Sequence, residues 1–171
     1  MYIETERMIL RNAVKSDAEP LAEIQNTPFV QRHNLYGTVT AEQMVECLAQ
    51  NTCVALERRQ GGVIGCIYIK ADDFRYRVDS LELSGWVSEE CADKGYMTEA
   101  LQALIDYLFK TECHDRLTAR VYAVNTPSLR LMERVGFRQE GYLQKAIKAP
   151  CGRIYDLVLF SISKDEYLSR G

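Results

Sequence analysis

Residues 81–101 read LELSGWVSEECADKGYMTEAL. Alternating apolar positions predict a strand that ends at Trp86 and Val87, and Gly95 opens a helix. Met97, Ala100, Leu101, Leu104, Ile105 and Leu108 form its apolar stripe, at the spacing of a face turned to a core. A loop between a strand end and a helix start presents several backbone N–H groups that the helix cannot use, and the helix dipole adds positive potential. Together they suit an anion such as a pyrophosphate. Gly95 removes the side chain where a ligand would come close, and Lys94 brings a charge that could equally face water. An ordinary loop with a helix cap fits the same letters. The segment is neither G-x-x-x-x-G-K-[ST] nor G-x-G-x-x-G, so a Walker loop and a dinucleotide fingerprint are excluded.

Working outward, a second informative stretch, NTPSLRLMERVGFRQEGY at 125–142, follows a strand expected at 116–123. Asn125 is a polar residue at a strand mouth, suited to a peptide-like ligand or to its own backbone. Thr126 and Pro127 open a short helix, with the cap placed at Thr126, and Gly136 closes it. On the N-terminal side, RMILR at 7–11 reads as a strand. Ser16 and Asp17 cap a helix running to about Asn26. Residues 27–39 form a connection able to hold one short helix, and Thr40-x-x-Gln43 is a capping box for a helix to about Asn51. Runs at 53–57 and 63–70 around Gln60-Gly61-Gly62 predict a hairpin, followed by a strand at 79–87 and a helix at 96–110. Strands at 138–147 and 153–162 and a helical turn at 163–168 complete the chain. No linker or repeat is present. The order predicts one domain over residues 1–171 of α/β (α+β) class, with a mixed, mostly antiparallel sheet of about seven strands flanked by helices.

Composition narrows the function classes. The chain has 171 residues, of which 47% are hydrophobic and 26% charged, so it folds as an ordinary globular domain rather than a disordered or low-complexity chain. A formal charge of −3 argues against a nucleic-acid binder. No apolar run approaches about 18 residues, so no membrane partner is expected, and the charged start MYIETER does not read as a signal peptide. Six cysteines without a C-x-x-C pair, beside only His33 and His114, carry no zinc signature. Cys53 and Cys66 lie in strand-like runs, and free, buried, reduced thiols in a cytoplasmic protein are expected.

Taken together, ETERMILR near the start, ELSGWV…DKGYMTEAL, N-x-x-S…G-F-x-x-E-G-Y and the tail GRIYDLVLFSISKDEYL resemble the GNAT superfamily of N-acetyltransferases, in particular its RimJ/RimL-type branch. The resemblance covers most of the chain. It implies acetyl-CoA as cosubstrate, with its pyrophosphate on the main-chain amides of Asp93, Lys94, Gly95, Tyr96, Met97 and Thr98. It implies that Trp86, Val87 and Ser88 bond the pantetheine arm, that Asn125 contacts the same arm, and that Ser128 lies near the sulfur. The arm is expected to enter where the strand carrying Glu82 parts from the strand leading to Asn125. The family pattern Q/R-x-x-G-x-G/A has Ala92 at its first place here and Met97 at its last, and Met132 stands where many members carry a tyrosine acid.

Acetyl transfer to an amine needs a proton removed: a lysine-type amine has a pKa of about 10.4 and an α-amine about 7.7–8.0. Glu82 is the candidate base, directly or through water, because alternation puts Glu82, Ser84 and Trp86 on one strand face. A structural hydrogen bond is the other reading of Glu82. Asp156 and Glu140 are weaker candidates, Glu140 being assigned to a turn at Gly141, and His33 reads as a surface residue. Tyr36, Tyr142 and Tyr155 are candidates for lining the acceptor pocket, or half-buried aromatics. The acceptor is a protein N-terminus or a small-molecule amine, no metal is implied, and a homodimer is left open. A non-catalytic acyl-CoA-binding sensor is the alternative, motivated by Ala92, Met97 and Met132.

Overall fold

Gly61 (φ 118°) and Gly62 (φ 52°) turn the chain between β3 (Thr52–Arg58) and β4 (Val63–Ala71), which forms the hairpin expected from Gln60-Gly61-Gly62. The computed structural model describes residues 1–35, 37–50 and 52–169. They fall into two compact units, one made of Met1–Ile69 and Gly85–Leu104, the other of Lys70–Ser84 and Ile105–Gly171.

In the first unit β1 (Tyr2–Glu4) pairs antiparallel with β2 (Met8–Asn12), β2 with β3 and β3 with β4. Three helices follow β2: α1 (Ala18–Gln25), α2 (Pro28–Asn34) and α3 (Ala41–Gln50). Their inner faces put Leu21, Val30 and Met44 into one cluster with Cys53, Cys66, Tyr68 and Trp86 from the strands. The connection at 27–39 is thus largely helical, because Thr27 caps α2 by accepting from Val30 N–H and Pro28 sits in its first turn. Asp17 does not cap α1 with its side chain. Its carboxylate instead accepts from Val14 N–H at 2.8 Å and from both Arg11 Nη atoms at 2.7 and 2.9 Å. Burial pushes Asp17 up, but these bonds hold it below the ordinary aspartate value.

In the second unit the start of β5 (Ser80–Val87) pairs in parallel with β6 (Arg116–Tyr122). β6 pairs antiparallel with β8 (Ile154–Ser163), and β8 with β7 (Arg138–Lys148) at the sheet edge. α5 (Thr126–Arg134) and α6 (Lys164–Leu168) belong to this unit, while α4 (Tyr96–Lys110) contributes turns to both. The strand order is β1-β2-β3-β4-β5-β6-β8-β7, a mixed α/β sheet of eight strands. The count exceeds the expected seven by β1, three residues long and too short to show a two-residue period.

Among the described residues no disulfide joins the cysteines, and Cys113 and Cys151 are exposed rather than buried. Among the described residues no helix is long and apolar enough to cross a membrane, and no group of side chains could hold a metal ion.

Candidate active site

β5 delivers the chain to a 3-10 turn (Glu89–Cys91) and then to a short loop. Asp93 is left-handed (φ 56°), Lys94 is not, and Gly95 is left-handed again (φ 82°). Backbone that alternates its hand turns successive N–H groups to one side and makes a concavity for an anion. Gly95 precedes α4 and accepts from Glu99 N–H at 3.0 Å. With no side chain, it cannot cap the helix it opens. A helix start leaves four N–H groups open, and Asp93 and Lys94 add theirs. Among the described residues nothing accepts a hydrogen bond from the N–H of Asp93, Lys94, Gly95, Tyr96, Met97 or Thr98.

Arg7, in the turn between β1 and β2, grips this loop. Its Nη1 donates to the Lys94 carbonyl at 2.9 Å and its Nε to Glu99 Oε2 at 2.6 Å, while its main-chain N–H donates to Oε1 at 2.9 Å. The guanidinium carbon lies 4.2 Å from the centre of the Tyr96 ring. Burial raises the Glu99 carboxyl, but hydrogen bonds from Thr5 and Arg7 outweigh it and keep the group below its ordinary value. The Lys94 side chain is in an exposed residue and Met97 is half-buried.

At the end of β5, Trp86 is 3% exposed and its ring belongs to the α1–α3 cluster, so only its main chain is available to a ligand. Ser88 N–H donates to the Ile64 carbonyl at 2.7 Å and its own carbonyl accepts from Cys91 N–H at 3.0 Å. Trp86 Nε1 and Ser88 Oγ are buried with no hydrogen-bond partner among the described residues. A buried polar group left so costs about 1–3 kcal/mol, and such positions mark where a ligand or water completes a site. Backbones run close here: a Cβ on Gly65 would strike the Trp86 carbonyl, and one on Gly85 the Cys66 carbonyl.

In the second unit the parallel ladder ends at Glu82–Thr118, although β6 runs on to Tyr122 in register with β8. The strands cease to bond each other two residues short of Arg120. At that point Arg120 Nη2 pairs with Glu82 Oε2, and the Arg120 guanidinium lies 5.3 Å from the centre of the Phe74 ring. The bond to Glu82 raises the Arg120 pKa against the opposing effect of burial. Asn125 is buried and caps α5, its Oδ1 accepting from Ser128 N–H at 3.2 Å. The cap therefore lies one residue before the expected Thr126, because Pro127 has no N–H to fill and the asparagine oxygen reaches the next one. Ser128 is half-buried on the first turn, and Met132 is in the core.

Tyr142 donates to Asp156 Oδ2 at 2.7 Å, and Asp156 Oδ1 accepts from Lys145 N–H at 2.7 Å. Tyr155 meets Tyr122 edge-on at 5.8 Å. In register Tyr142 faces Val158 and Tyr155 faces Ile147, so the two tyrosines occupy separate positions along the hairpin. Tyr36 lies outside the described residues. Glu140 is in β7 and not in a turn, ion-paired to Arg75 and Arg116. His33 Nδ1 contacts the Phe29 carbonyl at 2.9 Å.

Residues 7–138 match the family model described as Acetyltransferase (GNAT) domain. The chain belongs to the GNAT acetyltransferase family. A curated relative described as an uncharacterized N-acetyltransferase p20 of Bacillus licheniformis is 30% identical, with 95% of this chain and 96% of the relative covered. A solved GNAT-family acetyltransferase from Bacillus anthracis superposes with a TM-score of 0.86 at 26% identity, over 97% of this chain and 100% of that one. Spermidine N-acetyltransferase from Vibrio cholerae, solved in complex with CoA and spermine, shares the fold with a TM-score of 0.82 at 19% identity, over 96% of this chain and 99% of that one. This GNAT protein is an N-acetyltransferase, and acetyl-CoA is the acyl donor general to its family.

Two residues of these neighbourhoods escape a reading of the sequence, and a third is misplaced by it. Arg7 sits in a turn far from the loop it holds. Arg120 was visible only as a polar interruption of an apolar strand. Glu140 is disguised by the following glycine, which marks a bulge in β7 where the register shifts between Gln139 and Gly141.

Proposed function

We propose that this GNAT enzyme transfers the acetyl group of acetyl-CoA directly to a primary amine in a ternary complex, with the whole of residues 1–171 acting as one catalytic domain. The observation that carries the reading is the run of main-chain N–H groups from Asp93 to Thr98 for which no acceptor is found among the described residues. A diphosphate supplies the acceptors that run lacks. Met97 does not obstruct this role, since the contacts are made by main chain.

In this reading the pantetheine arm meets the main chain of Trp86 and Val87 and the unpartnered hydroxyl of Ser88, whose N–H is already committed to Ile64. Asn125 contacts the same arm, and Ser128, directly or through water, faces the departing sulfur. The amine nitrogen attacks the thioester carbon, the C–S bond breaks, and the amine proton passes to Glu82 directly or through water. Arg120 fixes the Glu82 carboxylate in one orientation. Tyr142 and Tyr155 border the acceptor. The RimJ/RimL-type motifs favour a protein N-terminus or a small-molecule amine as acceptor. An α-amine is the easier nucleophile, since its pKa of about 7.7–8.0 leaves part of it neutral at pH 7. The buried thiols of Cys53, Cys66 and Cys91 support a reducing, cytoplasmic location.

The test incubates the protein with acetyl-CoA and a panel of N-terminal peptides and small amines, and detects acetylated product by mass spectrometry. Acceptor-dependent product is expected, with Glu82→Gln and Ser128→Ala each slower, the former by about 10²–10⁴-fold. Binding of acetyl-CoA with no product from any acceptor would contradict catalysis, and full activity in both variants would overturn the assigned roles.

A further inference from the structure

Arg7 directs every polar group of its side chain that has a partner at one place, the loop and first turn at residues 94–99. We propose that Arg7 is a positioning residue for donor binding, which draws the Lys94 carbonyl and the Glu99 carboxylate onto itself so that a diphosphate meets open amides. The proposal rests on the diphosphate reading of this loop.

The Lys94 carbonyl and the Gly95 N–H belong to one trans peptide plane and point in opposite directions. Holding that carbonyl on Nη1 at 2.9 Å therefore fixes the Gly95 N–H facing away from Arg7. Gly95, which has no Cβ and a φ of 82°, leaves this peptide easy to rotate without such an anchor. Glu99 is the second element. It lies in the first turn of α4, where a carboxylate is drawn to the helix dipole and to unsatisfied N–H groups. Left alone it would be an internal rival for the diphosphate and would repel it. Arg7 occupies both carboxylate oxygens, Oε1 through its main-chain N–H and Oε2 through Nε, and cancels the charge. The Tyr96 ring, 4.2 Å from the guanidinium carbon, keeps the plane of the fork in place. The enzyme thus spends its own cation on its own anion, and the site that remains is made of neutral amides.

The test compares wild type, Arg7→Ala, Arg7→Gln, Glu99→Gln and the double variant Arg7→Ala/Glu99→Gln. Each is titrated with CoA and with pantetheine, which lacks the diphosphate, below its own unfolding temperature. Arg7→Ala is expected to weaken CoA binding about tenfold or more while pantetheine binding stays within about twofold. Arg7→Gln, which can still donate to Lys94 but carries no charge, is expected to lose CoA affinity as well, and it serves if the alanine variant does not fold. The double variant is expected to bind CoA at least about threefold more tightly than Arg7→Ala, because the rival carboxylate is gone. Wild-type affinity for CoA in Arg7→Ala and Arg7→Gln, equal losses for CoA and pantetheine, or no recovery in the double variant would each overturn the proposal. A wild-type protein that binds CoA no better than pantetheine would instead overturn the diphosphate reading on which it rests.

Discussion

Replacing Gly95 with alanine perturbs the proposed donor loop at its most constrained point. Gly95 has φ 82°, and an L-residue in left-handed backbone costs about 1–2 kcal/mol. The new methyl would meet Arg7 Nη2 at 3.4 Å, an ordinary contact with a flexible side chain, so crowding adds little. Alanine also restricts the unfolded chain, which returns about 0.4–1 kcal/mol. The net loss is about 1 kcal/mol, and in a chain of 171 residues that lowers the melting temperature by about 2–4 °C. The effect on ligand binding is larger in kind. If the strain is relieved by rotating the peptide, the amides no longer converge and CoA affinity falls about tenfold, or about 1.4 kcal/mol. Differential scanning fluorimetry with and without CoA reads both quantities on one sample, since ligand stabilisation follows the ratio of concentration to Kd. An alanine variant that melts with wild type and gains the same stabilisation from CoA would refute the reasoning at its root. A fall beyond about 10 °C would show that the glycine serves packing instead.

Three further outcomes are expected. Gly85→Ala drives a Cβ onto the Cys66 carbonyl in the middle of the sheet, where backbone has to shift, and chemical denaturation should show a loss of about 1–3 kcal/mol; wild-type stability would contradict the close approach of β4 and β5. Asn125→Ala removes the cap of α5 and should cost about 0.5–2 kcal/mol, with Asn125→Ser, another good cap, restoring most of the stability; equal losses in both would mean that the amide acts elsewhere. His114 lies between Asp79 at 2.9 Å and Glu112 at 3.1 Å, and although burial opposes its charge, these bonds raise its pKa above the ordinary 6.5. Its contribution is therefore complete below about pH 6.5 and disappears as pH climbs through the raised value. Melting temperatures across that window should fall in wild type and flatten in His114→Asn, and parallel slopes would exclude the clamp.

Much of this protein was legible because its signals are local. The hairpin at Gly61 and Gly62, the helix opened by Gly95 and the one behind Pro127 each follow from a few neighbouring residues. β1 was not, because three residues carry no period and its pairing with β2 is decided by register. Asp17 reads as a helix cap and yet serves Arg11 and Val14, since an ion pair with a neighbouring strand wins over the helix end. The proposed donor loop could be found from its glycine and the strand before it. Its supporting residue could not, because Arg7 and Glu99 are joined only by the fold. Glu82 was singled out by alternation, while its partner Arg120 depends on where the parallel ladder stops.

The most direct measurement is an amide-resolved NMR titration of the isotopically labelled protein with CoA. The account expects the N–H resonances of Asp93 to Thr98 to shift together and to become protected from exchange with water, with inorganic pyrophosphate reproducing the change more weakly. Resonances of that segment standing still at saturating CoA, while others move, would contradict it.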